Sequence, residues 1–270
     1  MSDASSGSSK SLLRSFDTAG QVTVRLSVSS PDIDVTTWDR PVTEVEIVPR
    51  RSDKATADAI DAVSVMCSPS TDGFHVAVEQ QRRNMSFGFR GPSLNIRVRC
   101  PEGTAIELNG SSSDLFCHGT LRSLKSRTAS GDVTADHVTG HVSSDAASGD
   151  IKVKSCGSLS AKLASGDVDA ARVDGTIEVT TVSGDILVRS WSGNAARLQA
   201  VSGDVTLRIE QGRRVHFDVS SISGSTRSSL DPLGTPSDGA PASGDVADIW
   251  IRTVSGDVSI ERADRATAGR

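Results

Sequence analysis

Tyrosine is absent from this 270-residue sequence, and aromatic residues make up only 3% of it. Aromatic platforms for sugars or nucleobases are therefore scarce. The sequence also lacks an excess of basic charge, since 29 Lys and Arg stand against 34 Asp and Glu, giving a net charge of −5. Nucleic-acid-binding domains are usually strongly basic, so we do not expect a nucleic-acid partner. With 36% hydrophobic residues, the composition excludes a wholly disordered chain.

Targeting and membrane signals are missing as well. No stretch approaches the roughly 18 apolar residues of a transmembrane helix. The segment Met1–Lys10 is polar and rich in serine, without the basic and apolar regions of a secretory signal peptide. These absences predict a cytoplasmic location and no membrane partner.

The cysteines show no metal-binding pattern. Cys67, Cys100, Cys117 and Cys156 contain no C-x-x-C pair. We therefore predict no zinc site and no cofactor, and we expect free thiols in a reducing compartment.

A tetrapeptide, Ser-Gly-Asp followed by Val or Ile, recurs along the second half of the chain. Its third position is occupied by Asp132, Asp150, Asp167, Asp185, Asp204 and Asp257, with degenerate copies at Asp114 and Ser225. From Asp114 to Ser225, successive copies lie 17 to 21 residues apart. Self-similarity at a fixed short period is typical of repeat architectures.

Each repeat carries the pattern of two short strands. The residues one and three positions after the anchor are apolar, as at Ile186 and Val188, and those eight and six positions before it are mostly apolar, as at Ile177 and Val179. Apolar residues at a period of two indicate a strand with one buried face. Glycine within each anchor permits a sharp turn between the two strands.

Units this small cannot bury an apolar face alone, so we predict that they stack. The predicted fold class is all-β, a parallel β-solenoid or β-helix with coils of about 18 residues. An antiparallel β-sandwich is the alternative, but hairpins would not preserve an in-register repeat. The small inward residues suit a narrow coil interior and account for the scarcity of aromatics.

The rest of the chain is less regular. We expect a disordered tail over residues 1–15 and an irregular β-rich region over 16–110, which caps or starts the solenoid because a solenoid end exposes apolar core. Solenoid repeats follow over 111–262, with a flexible Pro-rich insertion at 227–247. A disordered tail ends the chain at 263–270. Within the first region, Ser52 could cap a short helix over 53–62.

The Ser-Gly-Asp-Val repeat behind a β-rich lead from Phe16 to Val48 resembles the bacterial DUF4097 family of β-strand-repeat proteins. The resemblance covers about residues 16–262. It implies this architecture, and the family's other label, "putative adhesin", implies surface display. The resemblance supplies no catalytic residues. Because the sequence lacks a signal peptide, we favour a cytoplasmic module over an adhesin.

The aspartates of the repeat form the first candidate site. In-register stacking would place Asp132, Asp150, Asp167, Asp185 and Asp204 in one row. Hard cations such as Ca²⁺ prefer carboxylate oxygens, so the row could bind cations. Alternatively, the side chains form hydrogen bonds within turns, which is the interpretation we prefer. A third possibility is an interaction edge for a protein or sugar. We predict no metal site.

Two further clusters of side chains are candidate binding sites. The loop with Arg82, Arg83 and Arg90 carries Phe87 and Phe89 and could contact RNA by charge and stacking, although such loops are usually solvated.

The second cluster is the set Cys117, His118, His137 and His141. It could bind a transition metal, but Cys117 occupies an inward apolar slot typical of a buried free thiol.

Repetition without a unique chemical site indicates a non-enzymatic binding or scaffolding module. Its partner would be an unknown protein or a second copy of the chain. The alternative function is a carbohydrate-binding or carbohydrate-active, adhesin-like surface protein. Paired carboxylates could cleave glycosides, yet an active site should interrupt the repeat pattern, and no such interruption is evident.

Overall fold

A computed structural model describes residues 11–51, 53–80, 94–230 and 246–263. The chain divides into two compact units, residues 1–132 and 133–270. Both are built almost entirely of β-strands, and most neighbouring strands are parallel, which confirms the predicted all-β parallel solenoid. The one helix in the described ranges is too short and too polar to cross a membrane.

In its described residues, the N-terminal unit contains nine strands and one helix. In chain order these are β1 (Leu12–Asp17), β2 (Gln21–Ser27), β3 (Asp32–Trp38), β4 (Val42–Pro49), α1 (Lys54–Asp61), β5 (Val63–Ser70), β6 (Gly73–Gln80), β7 (Leu94–Pro101), β8 (Thr104–Asn109) and β9 (Leu115–Ser130). Residues 12–15, which were expected in the N-terminal tail, begin β1 and pair with β4.

Parallel pairing in this unit places β2 between β6 and β8, and β3 between β7 and β9. The first coil in the chain, β2–β3, therefore lies inside the stack. Antiparallel strands flank the parallel ones: β5 pairs with β6, and β4 pairs with β7. The N-cap of the helix is Asp53 rather than the predicted Ser52, because the Asp53 carboxylate accepts the Thr56 N–H at 2.7 Å.

The C-terminal unit consists of eleven strands in its described part. They are β10 (Val133–Ser148), β11 (Ile151–Ser165), β12 (Val168–Val173), β13 (Ile177–Ser183), β14 (Ile186–Trp191), β15 (Ala195–Ser202), β16 (Val205–Ile209), β17 (Val215–Ser223), β18 (Thr226–Ser228), β19 (Ala247–Ser255) and β20 (Val258–Arg262). Every strand pair recorded within this unit is parallel.

The coils of this unit do not stack in chain order. β15 pairs with β19, and β19 pairs with β17, so the last coil of the chain lies between the two that precede it. The second strands follow the same order, β16 to β20 to β18. Uniform stacking of successive repeats would have placed Ser225 next to Asp204. Asp257 is the actual neighbour of Asp204.

The core of the unit is formed by the positions that the repeat predicted to be inward. Ile186 is 1% exposed and Val188 is fully buried. The terminal coil differs, because Phe217 and Val219 occupy inward positions but remain half-exposed. They belong to a strand with one neighbour among the described residues, so one side of their slot is open.

Candidate interaction site

The aspartates of the repeat form a ladder that connects consecutive coils. In the C-terminal unit, each carboxylate accepts the backbone N–H of the aspartate in the next coil. The distances from N to Oδ1 are 3.0 Å from Asp167 to Asp150, 2.8 Å from Asp185 to Asp167, 2.8 Å from Asp204 to Asp185 and 2.7 Å from Asp257 to Asp204. The predicted row is therefore present in this unit. Its carboxylates accept hydrogen bonds from turn amides of the adjacent coil.

The same contact occurs once in the N-terminal unit, where the Asp132 N–H donates to Asp114 Oδ1 at 2.9 Å. At the far end of the C-terminal unit, Asp257 accepts from both the backbone N–H and the hydroxyl of Ser225. Ser225 lies in the coil at the end of the described stack, where no further described coil offers an N–H to accept. This explains why the repeat contains serine instead of aspartate there.

The hydrogen bonds of the ladder offset the electrostatic repulsion expected between aspartate carboxylates stacked in a row. Carboxylates on adjacent strands lie about 4.8 Å apart and repel each other, but a hydrogen bond to each charged oxygen stabilises the charged form. Asp167, Asp185 and Asp204 are exposed to solvent. Their role as an interaction edge stays a prediction.

Two substitutions of Asp185 distinguish the contribution of its hydrogen bond to stability from the contribution of its charge. We expect Asp185→Ala to lower the free energy of unfolding by about 1 kcal/mol, because the Asp204 N–H loses its partner. Asp185→Asn retains an acceptor oxygen and removes one charge from the row, so it should leave stability nearly unchanged. Urea unfolding of both variants measures this. Equal losses in the two variants would mean that charge, and not hydrogen bonding, holds the ladder.

The terminal contact should depend on pH. Hydrogen bonds from the Ser225 N–H and hydroxyl lower the pKa of Asp257 below its usual 3.8. Because the folded-state pKa is the lower one, this contribution to stability is complete above the unfolded-state pKa. It disappears as the pH falls through the folded-state value. We expect Asp257→Asn to lose this part of the acid sensitivity, as measured by thermal unfolding between neutral and acidic pH. An unchanged profile would contradict the assignment.

The residues of the suggested transition-metal cluster are divided between the two units, with Cys117 and His118 in the N-terminal unit and His137 and His141 in the C-terminal unit. Cys117 is 1% exposed and inward, as predicted. His137 and His141 each use Nδ1 in a 2.8 Å contact, to the hydroxyls of Ser155 and Ser158 respectively. Across the ranges that the structure covers, no three His, Cys, Asp or Glu side chains are placed to hold a metal ion.

The thiols are not disulfide-bonded, and three of the four are buried. Burial raises the pKa of the Cys100 thiol to about 11 and that of the Cys156 thiol to about 12. At neutral pH both are protonated, so neither is a reactive nucleophile. The basic loop with Arg82, Arg83, Arg90, Phe87 and Phe89 lies outside the described residues.

A row of exposed aliphatic side chains crosses the outer face of four adjacent strands in the C-terminal unit. In spatial order the row runs from β13 through β15 and β19 to β17, and it contains Val182, Val201, Val254 and Ile222. Their relative exposures are 49%, 48%, 44% and 82%. At one strand spacing per step, the row is about 14 Å long. Apolar side chains exposed contiguously, rather than singly, indicate an interaction surface.

Trp250 lies on the same outer face, two outward positions from Val254 along β19, with Arg252 between them. Its indole is between two guanidinium groups: the distance from Cζ to the ring centroid is 5.3 Å for Arg197 and 4.5 Å for Arg252. The aliphatic row and Trp250 line a shallow groove of about 440 Å³, together with Thr180, Gln199 and Ser220. We call this surface the Trp250 face.

Sequence analysis did not identify the Trp250 face, although two signals were present. The residue before each Ser-Gly anchor is alanine at Ala147 and Ala164, and changes to valine or isoleucine in later coils. An outward position that gains apolar bulk is unexpected for a solvated surface. The second signal is Trp250, which sits in an outward slot between the inward Ile249 and Ile251.

The chain is similar to several solved structures, among them the following two. One is a protein of Bacteroides fragilis described as a "putative adhesin", with 13% identity, a TM-score of 0.51 and coverage of 94% of this chain and 98% of that one. The other is a "putative lipid binding protein" of Parabacteroides distasonis, with 14% identity, a TM-score of 0.46 and coverage of 94% and 98%. At 13% identity the likeness to the Bacteroides fragilis protein concerns the fold alone.

No curated protein matches the chain. The model of one family, however, matches residues 24–261, which is most of the sequence and includes the whole ladder of aspartates. That family is described as Toastrack DUF4097, and the match agrees with the repeat and the parallel stack. The chain therefore belongs to the Toastrack DUF4097 family.

Proposed function

We propose that this protein is a non-enzymatic binding module and that the Trp250 face binds a protein partner. The observation that carries this proposal is the contiguous exposure of Val182, Val201, Val254 and Ile222 beside Trp250. Because they are 44% to 82% exposed, these side chains bury only part of their surface within the stack. Trp and Arg are also the residues most enriched among those that dominate protein–protein binding energy.

Charge around the face favours a protein over a uniformly charged ligand. Arg197 and Trp250 lie in one outward row with Glu178 and Asp218 of the flanking strands, and Arg252 lies one outward position further along β19. Within the described part of the chain, Arg197 and Arg252 form no ion pair. They remain available to carboxylates of a partner, whereas the flanking acids disfavour a polyanion.

A binding role without catalysis agrees with the state of the polar groups. The aspartates of the ladder accept backbone hydrogen bonds and repeat from coil to coil, and the Cys100 and Cys156 thiols are protonated at neutral pH. We propose a cytoplasmic location on the basis of the sequence. Fractionation of native cells tests that location, and recovery of the protein from the cell surface would overturn it.

Carbohydrate binding is the weaker alternative. Sugars stack on open aromatic faces, but Trp191 is fully buried. Arginines stand over the ring of Trp250, and over Trp38 in the N-terminal unit. A glycan panel tests this alternative: a melting shift with any sugar that disappears in Trp250→Ala would replace the protein-binding proposal.

The decisive experiment compares two surfaces of the native protein. Mild cross-linking, affinity capture and mass spectrometry are applied to wild type, to Val201→Asp combined with Ile222→Asp, and to Asp150→Asn combined with Asp167→Asn and Asp185→Asn. We expect a specific partner to be lost in the first variant and retained in the second, because only the first adds charge to the Trp250 face.

Both sets of substitutions are at partly or fully exposed side chains, so folding should be preserved, and circular dichroism checks it. Loss of the partner only in the aspartate variant would assign binding to the ladder edge and overturn the role of the Trp250 face. Retention in both variants, or no partner with the wild type, would also overturn it.

A further inference from the structure

The C-terminal unit ends in an open apolar cross-section. Val215, Phe217 and Val219 of β17 are half-exposed, whereas their neighbours on β19 are buried: Ala247 and Ile251 completely, and Ile249 to 2% exposure. Among the described strands, β17 pairs only with β19, and β18 only with β20. Repeat stacks require a polar cap at each end for solubility, and the described residues supply no strand on this side.

The backbone of β17 also has hydrogen-bonding groups directed away from the stack. The Ala247 N–H donates to the Arg214 carbonyl at 3.0 Å, which fixes the alternation of the strand. The even-numbered residues direct their N–H and C=O groups toward β19. Val215, Phe217 and Val219 therefore direct theirs to the free edge. The strand contains no Lys or Pro, the residues that usually protect an edge from pairing.

We propose that a second copy of this chain occupies this edge, pairing β17 with β17 antiparallel about a two-fold axis. Opposite residues of an antiparallel pair share one face of the sheet. An axis that passes between two residues would pair inward positions of one copy with outward positions of the other. The axis must therefore pass through a residue, and this restricts the possible registers. The resulting interface is isologous, because each copy contributes the same strand.

Charge selects the register. An axis at Asp218 places two Asp218 carboxylates directly opposite each other. An axis at Phe217 instead places His216 opposite Asp218 of the second copy, twice, and Val215 opposite Val219. An axis at Val219 pairs His216 with Ile222 and gains no charge complementarity. We therefore assign the axis to Phe217, where His216 and Asp218 form the non-hydrogen-bonded pairs whose side chains approach most closely.

Mixed cross-linking tests both the dimer and its register. Two single variants of the full chain, His216→Cys and Asp218→Cys, are made with Cys67→Ser, because Cys67 is the one native thiol that is not buried. Cα atoms of a non-hydrogen-bonded pair lie about 4.5 Å apart, within reach of a disulfide. We expect a covalent dimer under mild oxidation when the two variants are mixed, and none from either variant alone. Cross-linking of Asp218→Cys by itself, or no cross-link in the mixture, would overturn the proposal.

Sedimentation measures the association without cross-linking. The wild type should approach twice the 28.2 kDa mass of one chain as its concentration rises. His216 is well exposed, with 75% of its side chain accessible, so substitutions there should preserve the fold. His216→Asp should weaken the dimer several-fold and His216→Lys should tighten it, because each changes two cross-strand charge pairs. A wild type that stays at the mass of one chain, or two variants with equal affinity, would overturn the proposal.

Discussion

Ile186→Asp should destabilise the C-terminal unit by at least about 3 kcal/mol. Ile186 is 1% exposed and lies in β14 between Val168 and Val205 of the neighbouring strands. A carboxylate at this position would be surrounded by aliphatic side chains, without a hydrogen-bond donor. It would also lose the apolar contacts that the isoleucine makes on both sides. Urea unfolding monitored by circular dichroism measures the loss.

Val182→Asp is the matched control, because it introduces the same charge on β13, the other strand of the same coil, at a side chain that is 49% exposed. We expect its free energy of unfolding to remain within about 0.5 kcal/mol of the wild type. If Ile186→Asp were as stable as this control, the inward assignment of the repeat would be wrong.

Gly184→Ala should be the second strongly destabilising change, costing on the order of 3 kcal/mol. Gly184 has a φ of +143°, which L-residues rarely adopt. A Cβ at this position would also lie 2.1 Å from the carbonyl oxygen of Gly166 in the adjacent coil. That oxygen belongs to the backbone and cannot move aside without opening the stack, so we expect a large fall in the melting temperature.

Gly212→Ala separates conformational strain from steric overlap. Gly212 also has a positive φ, +81°, but a Cβ there would meet nothing within 4 Å. It should therefore cost less than Gly184→Ala, and the difference in melting temperature reports the close approach of coils. Equal effects would mean that the turn glycines serve backbone conformation only.

Much of the fold could be predicted because the repeat carries its own register. Ser-Gly-Asp fixes where each turn lies, and the flanking apolar positions, such as Val168 and Ala170, identify the buried face. These features are local and recur in every coil, so one correct assignment extends to all the others. The hairpin of β5 and β6 also follows from a local pattern, because two apolar runs lie on either side of Thr71-Asp72-Gly73.

The order of the coils could not be predicted from the same pattern. Every inner coil presents an equivalent edge, so the repeat does not specify which coil follows which. One signal was present: Ser225 replaces the aspartate that any inner coil requires as an acceptor. Its loss marks the end of the ladder, although one more anchor of the described stack, at Asp257, follows in the chain.

The repeat pattern does not predict the Trp250 face, because the pattern describes inward side chains and turns and leaves the outward side chains unspecified. The aspartates were conspicuous because they repeat, and their hydrogen bonds show that this repetition serves the turns. Side chains specific to a few coils, such as Trp250 and Ile222, do not repeat and are less visible. In a repeat protein, such departures on the outer face are the better guide to binding.

The interleaved coil order has a consequence for synthesis on the ribosome. β17 and β18 emerge before β19 and β20, yet these later strands are their neighbours in the finished stack. Until the final coil is translated, the preceding one has no adjacent strand to pair with among those described. The C-terminal coil thus completes the packing of the coil that precedes it in the chain. Chains cut short before Ala247 would lose the packing of two coils, and these incomplete products would be open to proteolysis.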